Sequence, residues 1–239
     1  MDLADEASRR GKGLRILVTR LRFLGDIIIS TAAVRVLRDR YPGSTIYYMA
    51  DERYADILEE NPDIEGIIRL ERGRKGFIRA LKTLRSLDIT AAIDLFYNPT
   101  SANLLFLSGI PVRIGGRRRW RRRLYTNTVE VPPGVRSAVD HHIHMMRSVG
   151  CGDAEAMPAV YLSEGELASG ARILSRLQSV PQEGCRTVAM HPGGTWQSKR
   201  WPDRHFSDLA GMIRRLPGEP RVVVLTGPGE EGISGAVAE

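Results

Sequence analysis

LRILVTRLRFLGDIIISTAAVRVLRDRYPG, residues 14–43, decides the architecture. LRILVT (14–19) is a short β-branched run without alternation, the pattern of a strand covered on both faces. From Asp26 to Tyr41 the apolar positions Ile27, Ile28, Ala32, Val34, Val36 and Leu37 follow a helical period, and Pro42–Gly43 stops the helix. Outward from this pair the alternation continues. TIYYM (45–49), IEGIIRL (64–70) and ITAAIDL (89–95) read as strands, with helices expected at Glu52–Glu60 and Arg74–Ser86. Ser101–Ser108, Val112–Ile114 and Ser137–Val149 read as helix, strand and helix. Such βα alternation implies an α/β fold with a parallel sheet and helices on both faces.

The pattern breaks at about 150–185 and then restarts. Ser163–Leu177 reads as a helix with Ser163 at the N-cap and Glu166 at the capping-box position, and PQEG (181–184) reads as a turn. RTVAM (186–190), a helix at Asp203–Arg215 and RVVVLTG (221–227) then open a second α/β unit. Two strands are too few to bury a stable core of this kind, so the second unit is expected to be incomplete. The expected division is a disordered leader at 1–13, an N-terminal Rossmann-like domain at 14–162, a linker helix and turn at 163–185, and a partial C-terminal domain at 186–239.

The composition is that of a globular protein, with 42% hydrophobic and 26% charged residues. No apolar run approaches the roughly 18 residues of a membrane span, and residues 1–13 lack the apolar stretch of a secretory signal. Only two cysteines occur, Cys151 and Cys185, which suggests a reduced, cytoplasmic setting. The net charge of +7 has a single source: Arg113, Arg117, Arg118, Arg119, Arg121, Arg122 and Arg123 fall in one acid-free window. Such a patch fits a phosphate-rich or anionic-lipid partner.

Three turns that follow strands carry polar groups suited to chemistry. In a doubly wound sheet, ligands bind beyond the carboxyl ends of the strands. TRLRFLGDIIIS (19–30) presents Asp26 at the start of a helix, either as an N-cap or as a general base. HPGGTWQSKRWPDRHF (191–206) offers Gly193 and Gly194 for close backbone approach, the Thr195 hydroxyl and the Lys199 cation, all before a helix N-terminus. Amide donors, positive charge and the helix dipole are what a diphosphate needs, although a plain loop has the same composition. TGPGEE (226–231) places Glu230 and Glu231 where an acid can take a ribose hydroxyl or simply favour a helix first turn. Asp140, His141, His142 and His144 invite a metal reading, but no matching ligand cluster accompanies them.

Taken together, ILVTRLRFLGDIIISTAAVRVLRDRYPGSTIYYMADERYADILEENPDIEGII (16–68), RIGGRRRWRRRLYTN (113–127), the helix at 139–150 and HPGGTWQSKRWPDRHFSDLA (191–210) resemble glycosyltransferase family 9, the ADP-heptose:lipopolysaccharide heptosyltransferases. The resemblance runs from about residue 14 to the end. It implies a GT-B fold of two Rossmann-like domains, with the acceptor on the first and the nucleotide-sugar on the second. It also implies Asp26 as catalytic base, Gly193, Gly194, Thr195 and Lys199 at the donor diphosphate, and Glu230, with Glu231, at the ribose. A hydroxyl that some members carry before Thr195 is Gly194 here, and the family's later DTG…H segment does not occur.

The implied reaction is an inverting transfer of a heptose-like sugar, with ADP-heptose as donor and a phosphorylated or acidic glycolipid of the lipopolysaccharide core as acceptor. No two aspartates lie two positions apart, so the DxD metal motif is missing; neither a metal nor a cofactor is expected. Arg117, Arg118, Arg119, Arg121, Arg122 and Arg123 would contact the acceptor or an anionic membrane surface, making the enzyme cytoplasmic and peripheral at the inner face of the membrane. A nucleic-acid-binding protein using Arg113–Arg123 is the competing reading, but it leaves the glycine–lysine loop without a role. A nicotinamide-dependent dehydrogenase is disfavoured because GxGxxG is absent.

Overall fold

The computed structural model describes residues 1–117, 121–153, 155–176, 186–194, 197–227, 229–230 and 232. The chain divides into two compact units, Met1–Ala168 and Ser169–Glu239. The first unit contains a six-stranded parallel sheet of order β3-β2-β1-β4-β5-β6. Its strands are β1 (Arg15–Thr19), β2 (Thr45–Asp51), β3 (Gly66–Leu70), β4 (Ala91–Asp94), β5 (Val112–Gly116) and β6 (Asn127–Val129). Strand order reverses between β1 and β4, which pair in the register Ile16↔Ala91 to Thr19↔Asp94. The crevice at the carboxyl ends of these two strands is the topological switch point, where ligands of such sheets bind.

Successive side chains of a strand face opposite ways, so each strand feeds two cores. Ile16, Val18, Ile46, Tyr48, Ile93 and Ile114 pack with α2 (Leu24–Arg40) and α5 (Ala138–Arg147). Leu17, Met49, Ile68 and Ala92 pack on the other face with α3 (Gly73–Ser86) and α4 (Pro99–Ser108). Each fully buried Leu or Ile contributes roughly 1.5–3 kcal/mol. The non-alternating runs in the sequence follow directly from this double coverage.

Three expectations change. The leader expected to be disordered contains a helix, α1 (Leu3–Ser8), capped by Asp2, whose carboxylate accepts from the Ala4 amide at 2.8 Å. Leu3 and Ala7 are buried, four residues apart on one face, and Leu3 joins the main core. Thirteen mostly polar residues hid that two-residue apolar stripe. The helix expected at Glu52–Glu60 is one 3-10 turn, Ala55–Leu58. There the Asp51 carboxylate takes the Arg53 amide and guanidinium, so the chain leaves β2 in a turn, and Pro62 follows closely. Finally, the three-residue strand β6 was not anticipated; it pairs with the glycine-ended β5 in the register Ile114↔Asn127 to Gly116↔Val129.

Helix α6 (Glu164–Arg176) starts with the expected capping box. The Ser163 hydroxyl accepts from the Glu166 amide at 3.2 Å, and the Glu166 carboxylate accepts from the Ser163 amide at 2.8 Å. The division between the two units falls inside this helix. In the second unit, β7 (Thr187–Met190) and β8 (Arg221–Val224) pair in parallel, with α7 (Asp203–Arg214) between them in sequence. The GT-B pattern of two parallel-sheet α/β units thus holds. The turn expected at 181–184 lies outside the described residues.

Candidate active site

Asp26 lies just beyond β1, at the switch-point crevice. It is the third residue of α2, and the helix's N-cap position falls to Phe23. The Asp26 carboxylate accepts from the Phe23 amide at 2.9 Å, and its other oxygen pairs with the Arg20 guanidinium at 2.8 Å. A carboxylate has about four lone-pair positions, so these contacts orient the group and leave capacity for a substrate hydroxyl. Its side chain is 36% exposed while that of Arg20 is 18% exposed, so the anion faces out and the cation supports it from behind.

Arg20 was not singled out in the sequence. It also donates to the Leu95 carbonyl at 3.2 Å and lies over the Phe96 ring. The neighbouring turn after β4 is organised by Asp94, which is fully buried. One of its oxygens accepts from the Thr19 hydroxyl at 2.7 Å and from the Phe96 and Tyr97 amides at 3.0 and 2.7 Å. The other accepts from the Tyr125 hydroxyl at 2.7 Å. Burial raises the Asp94 pKa, while these hydrogen bonds oppose the rise. The only sequence signal for this hub was a charged residue closing an otherwise apolar strand.

A cleft of about 410 Å³ opens on the same strand ends, lined among others by Arg22, Asp51, Arg72, Arg74, Phe77 and Thr100. Asp51 is bound by Arg53, whose hydrogen bonds hold its carboxyl below the usual range. Glu71, another lining residue, pairs with Arg79. Among the described residues Arg22, Arg72 and Arg74 make no close ion pair, although Arg72 acts electrostatically on Asp51, so the cleft presents three guanidinium groups beside two engaged carboxylates. Gly76 lets the turn after β3 close up, since a Cβ there would stand 2.2 Å from the Glu71 carbonyl oxygen.

The histidine run does not converge. His142 is buried, and burial, followed by Arg20 and His141, lowers its pKa to about 4. His141 Nε2 lies 3.1 Å from the Tyr97 hydroxyl, and His144 Nε2 lies 3.2 Å from the Glu130 carbonyl oxygen.

The arginine window also comes apart. Arg113 turns inward, donating to the Leu124 and Ile110 carbonyls beneath the Phe106 ring. Arg117 is paired with Glu130, because β5 and β6 run side by side and bring 117 opposite 130. Arg121, Arg122 and Arg123 lie in a 3-10 turn, the last two exposed. Arg118 and Arg119 lie outside the described residues.

In the second unit, the loop after β7 and the segment after β8 meet. The Glu230 carboxylate accepts from the Gly194 amide at 2.9 Å and the Gly227 amide at 3.0 Å. His191 and Arg200 flank it at 3.5 and 3.9 Å. The Gly227 amide, then the Gly194 amide, His191 and Arg200, lower the Glu230 pKa against its partial burial. Gly193 lets the Glu230 carboxylate approach the loop: a Cβ would stand 2.1 Å from it, and the flexible glutamate side chain would have to shift. One amide of the glycine loop, that of Gly194, is thus taken by the side chain expected at the ribose.

Arg200 also donates to the Gly194 carbonyl at 2.7 Å, and Trp201 stacks on His205. Lys199 ends a 3-10 turn, Gln197–Lys199, just before α7. Thr195 and Glu231 lie outside the described residues.

Known proteins resemble the chain in sequence and in fold. Lipopolysaccharide heptosyltransferase 2 of Escherichia coli (strain K12) is 27% identical over 237 residues, covering 93% of this chain and 66% of that protein. The chain thus spans about two thirds of the length of this relative. The crystal structure of a glycosyl transferase family 9 protein from Veillonella parvula DSM 2008 superposes with a TM-score of 0.83 at 25% identity, covering 95% of this chain and 66% of that one. The fold also matches E. coli heptosyltransferase WaaC with ADP-2-deoxy-2-fluoro heptose, with a TM-score of 0.69 at 18% identity over 95% of this chain and 73% of that one. Residues 77–235 match the model of glycosyltransferase family 9 (heptosyltransferase), and the chain belongs to that family.

Proposed function

We propose that the protein is an inverting, metal-independent heptosyltransferase, taking its sugar from an ADP-linked donor and passing it to an acidic acceptor of the lipopolysaccharide-core type. The carrying observation is the Arg20–Asp26 pair at the switch point, beside a cleft lined by Arg22, Arg72 and Arg74. Asp26 accepts the proton of an acceptor hydroxyl as that oxygen attacks the anomeric carbon. The bond to the diphosphate breaks on the opposite face, which inverts the centre. Arg22, Arg72 and Arg74 suit the carboxylates or phosphates of such an acceptor.

The departing diphosphate needs positive charge and amide donors. Gly193, Gly194, Thr195 and Lys199 are the groups for it, next to the N-terminus of α7. Without a DxD motif in the sequence, this cation and these amides take the part a divalent metal would otherwise play. The relative bound to ADP-2-deoxy-2-fluoro heptose supports an ADP-sugar donor. Among the described residues no helix is long and apolar enough to cross a membrane. We place the enzyme in the cytoplasm, with exposed Arg122 and Arg123 available to an anionic membrane face.

Asp26→Asn tests the assignment. Sugar transfer should vanish while ADP-sugar affinity, read by calorimetry, stays within about twofold. Retained transfer would remove Asp26 from the role of base.

A further inference from the structure

Phe96 stands between the two arginines of the β1–α2 turn. The Arg20 guanidinium lies 4.9 Å from the centre of its ring and that of Arg22 lies 5.8 Å from it. One arginine holds Asp26 and the other lines the cleft. The ring is itself anchored: Asp94 holds the Phe96 amide together with the hydroxyl of Thr19, the residue that precedes Arg20. Arg20 needs this support, because its Nε is buried without a hydrogen-bond partner. Its two terminal nitrogens are bonded to Asp26 and the Leu95 carbonyl, and the aromatic face adds a third contact that holds the guanidinium in place.

We propose that Phe96 is a positioning residue that aligns Asp26 with the arginine-lined cleft by holding Arg20 and Arg22 against its ring. The proposal rests on Asp26 being the base and the cleft being the acceptor site. A purely structural Phe96 would only fill space beside the second core, which it touches. Any apolar side chain of similar volume would then serve.

The experiment measures kcat, the acceptor and donor KM, and the melting temperature for wild type, Phe96→Met, Phe96→Tyr, Arg20→Gln and the Arg20→Gln/Phe96→Met double variant. Phe96→Met keeps volume but loses the ring. Its kcat should fall about tenfold and its acceptor KM should rise a few-fold, with donor KM unchanged. Phe96→Tyr should stay within about twofold of wild type, and Phe96→Met should lower the kcat of Arg20→Gln by less than about twofold, because both act through one contact.

Wild-type kcat and acceptor KM in Phe96→Met, equal damage in Phe96→Tyr, or fully multiplicative losses would overturn the proposal. Should Phe96→Met not fold, Phe96→Leu takes its place: the same fall in kcat and rise in acceptor KM are expected, and wild-type values would be decisive against the idea. Asp26→Asn runs alongside: if it stays active, the base assignment fails, whereas an inactive Asp26→Asn with a normal Phe96→Met removes only the positioning role.

Discussion

Asp26 and Glu230 each lie just past the carboxyl end of a parallel strand, and each accepts hydrogen bonds from backbone amides. Their settings differ in what else is present. Asp26 uses one amide, that of Phe23, and leans on a mostly buried Arg20. Its remaining lone pairs face outward. Glu230 spans two amides, Gly194 and Gly227, with the partly exposed side chains of His191 and Arg200 nearby. The first arrangement leaves the carboxylate partly exposed; the second ties together the loops that follow β7 and β8. Similar local chemistry thus gives different results: a carboxylate open to solvent in one unit and a carboxylate that joins two loops in the other.

The largest expected effect breaks the first half of this comparison. Asp26→Asn keeps the shape but not the basicity, and initial-rate assays should show transfer lowered about 1,000-fold. Next comes the buried His142 beneath Arg20 and Asp26, whose pKa is lowered from 6.5 to about 4 by burial, Arg20 and His141. Below pH 6.5 the unfolded chain takes up a proton that the folded chain refuses. Stability is therefore full above 6.5 and is lost as pH falls toward about 4, by up to about 3 kcal/mol. Urea melts across that range should be flatter in His142→Gln, and equal slopes would refute the buried neutral imidazole.

The second half is tested by smaller effects. Lys199→Ala should weaken ADP-sugar binding about tenfold, and unaltered calorimetric affinity would take the lysine off the diphosphate. Glu230→Gln removes a negative charge from the glycine loop, so inorganic pyrophosphate should bind about threefold more tightly. If instead ADP binds more weakly and pyrophosphate is unaffected, Glu230 reads the ribose and the two carboxylates are more alike than their surroundings suggest.

Much of the first unit was legible because local signals agreed. A buried strand, a capped periodic helix and a Pro–Gly stop over 14–43 leave few alternatives, and β1 and α2 formed within two residues of the expected limits. A place past the carboxyl end of β1 follows from the strand–helix order, so Asp26 is a candidate from the chain alone. Its partners could not. Arg20 and Phe96 are 76 positions apart, and only the parallel pairing of β1 with β4 brings them together.

Charge patterning misled for the same reason. The arginine window reads as one patch in sequence, yet Arg113 folds inward and Arg117 meets Glu130 from the adjacent strand. The leader misled through composition, because two apolar residues at helical spacing are enough to dock α1 once α2 and α5 provide a surface.

Periodicity and turn chemistry act over a few residues, so the amino-acid order alone specified most of the elements, the α/β class and which turns follow the strand ends. Pairing, burial and charge compensation depend on residues distant in the chain. Only the packed sheet decided that Arg20 supports Asp26, that Asp94 ties Thr19 to the Phe96 turn, and that Glu230 takes the Gly194 amide of the glycine loop.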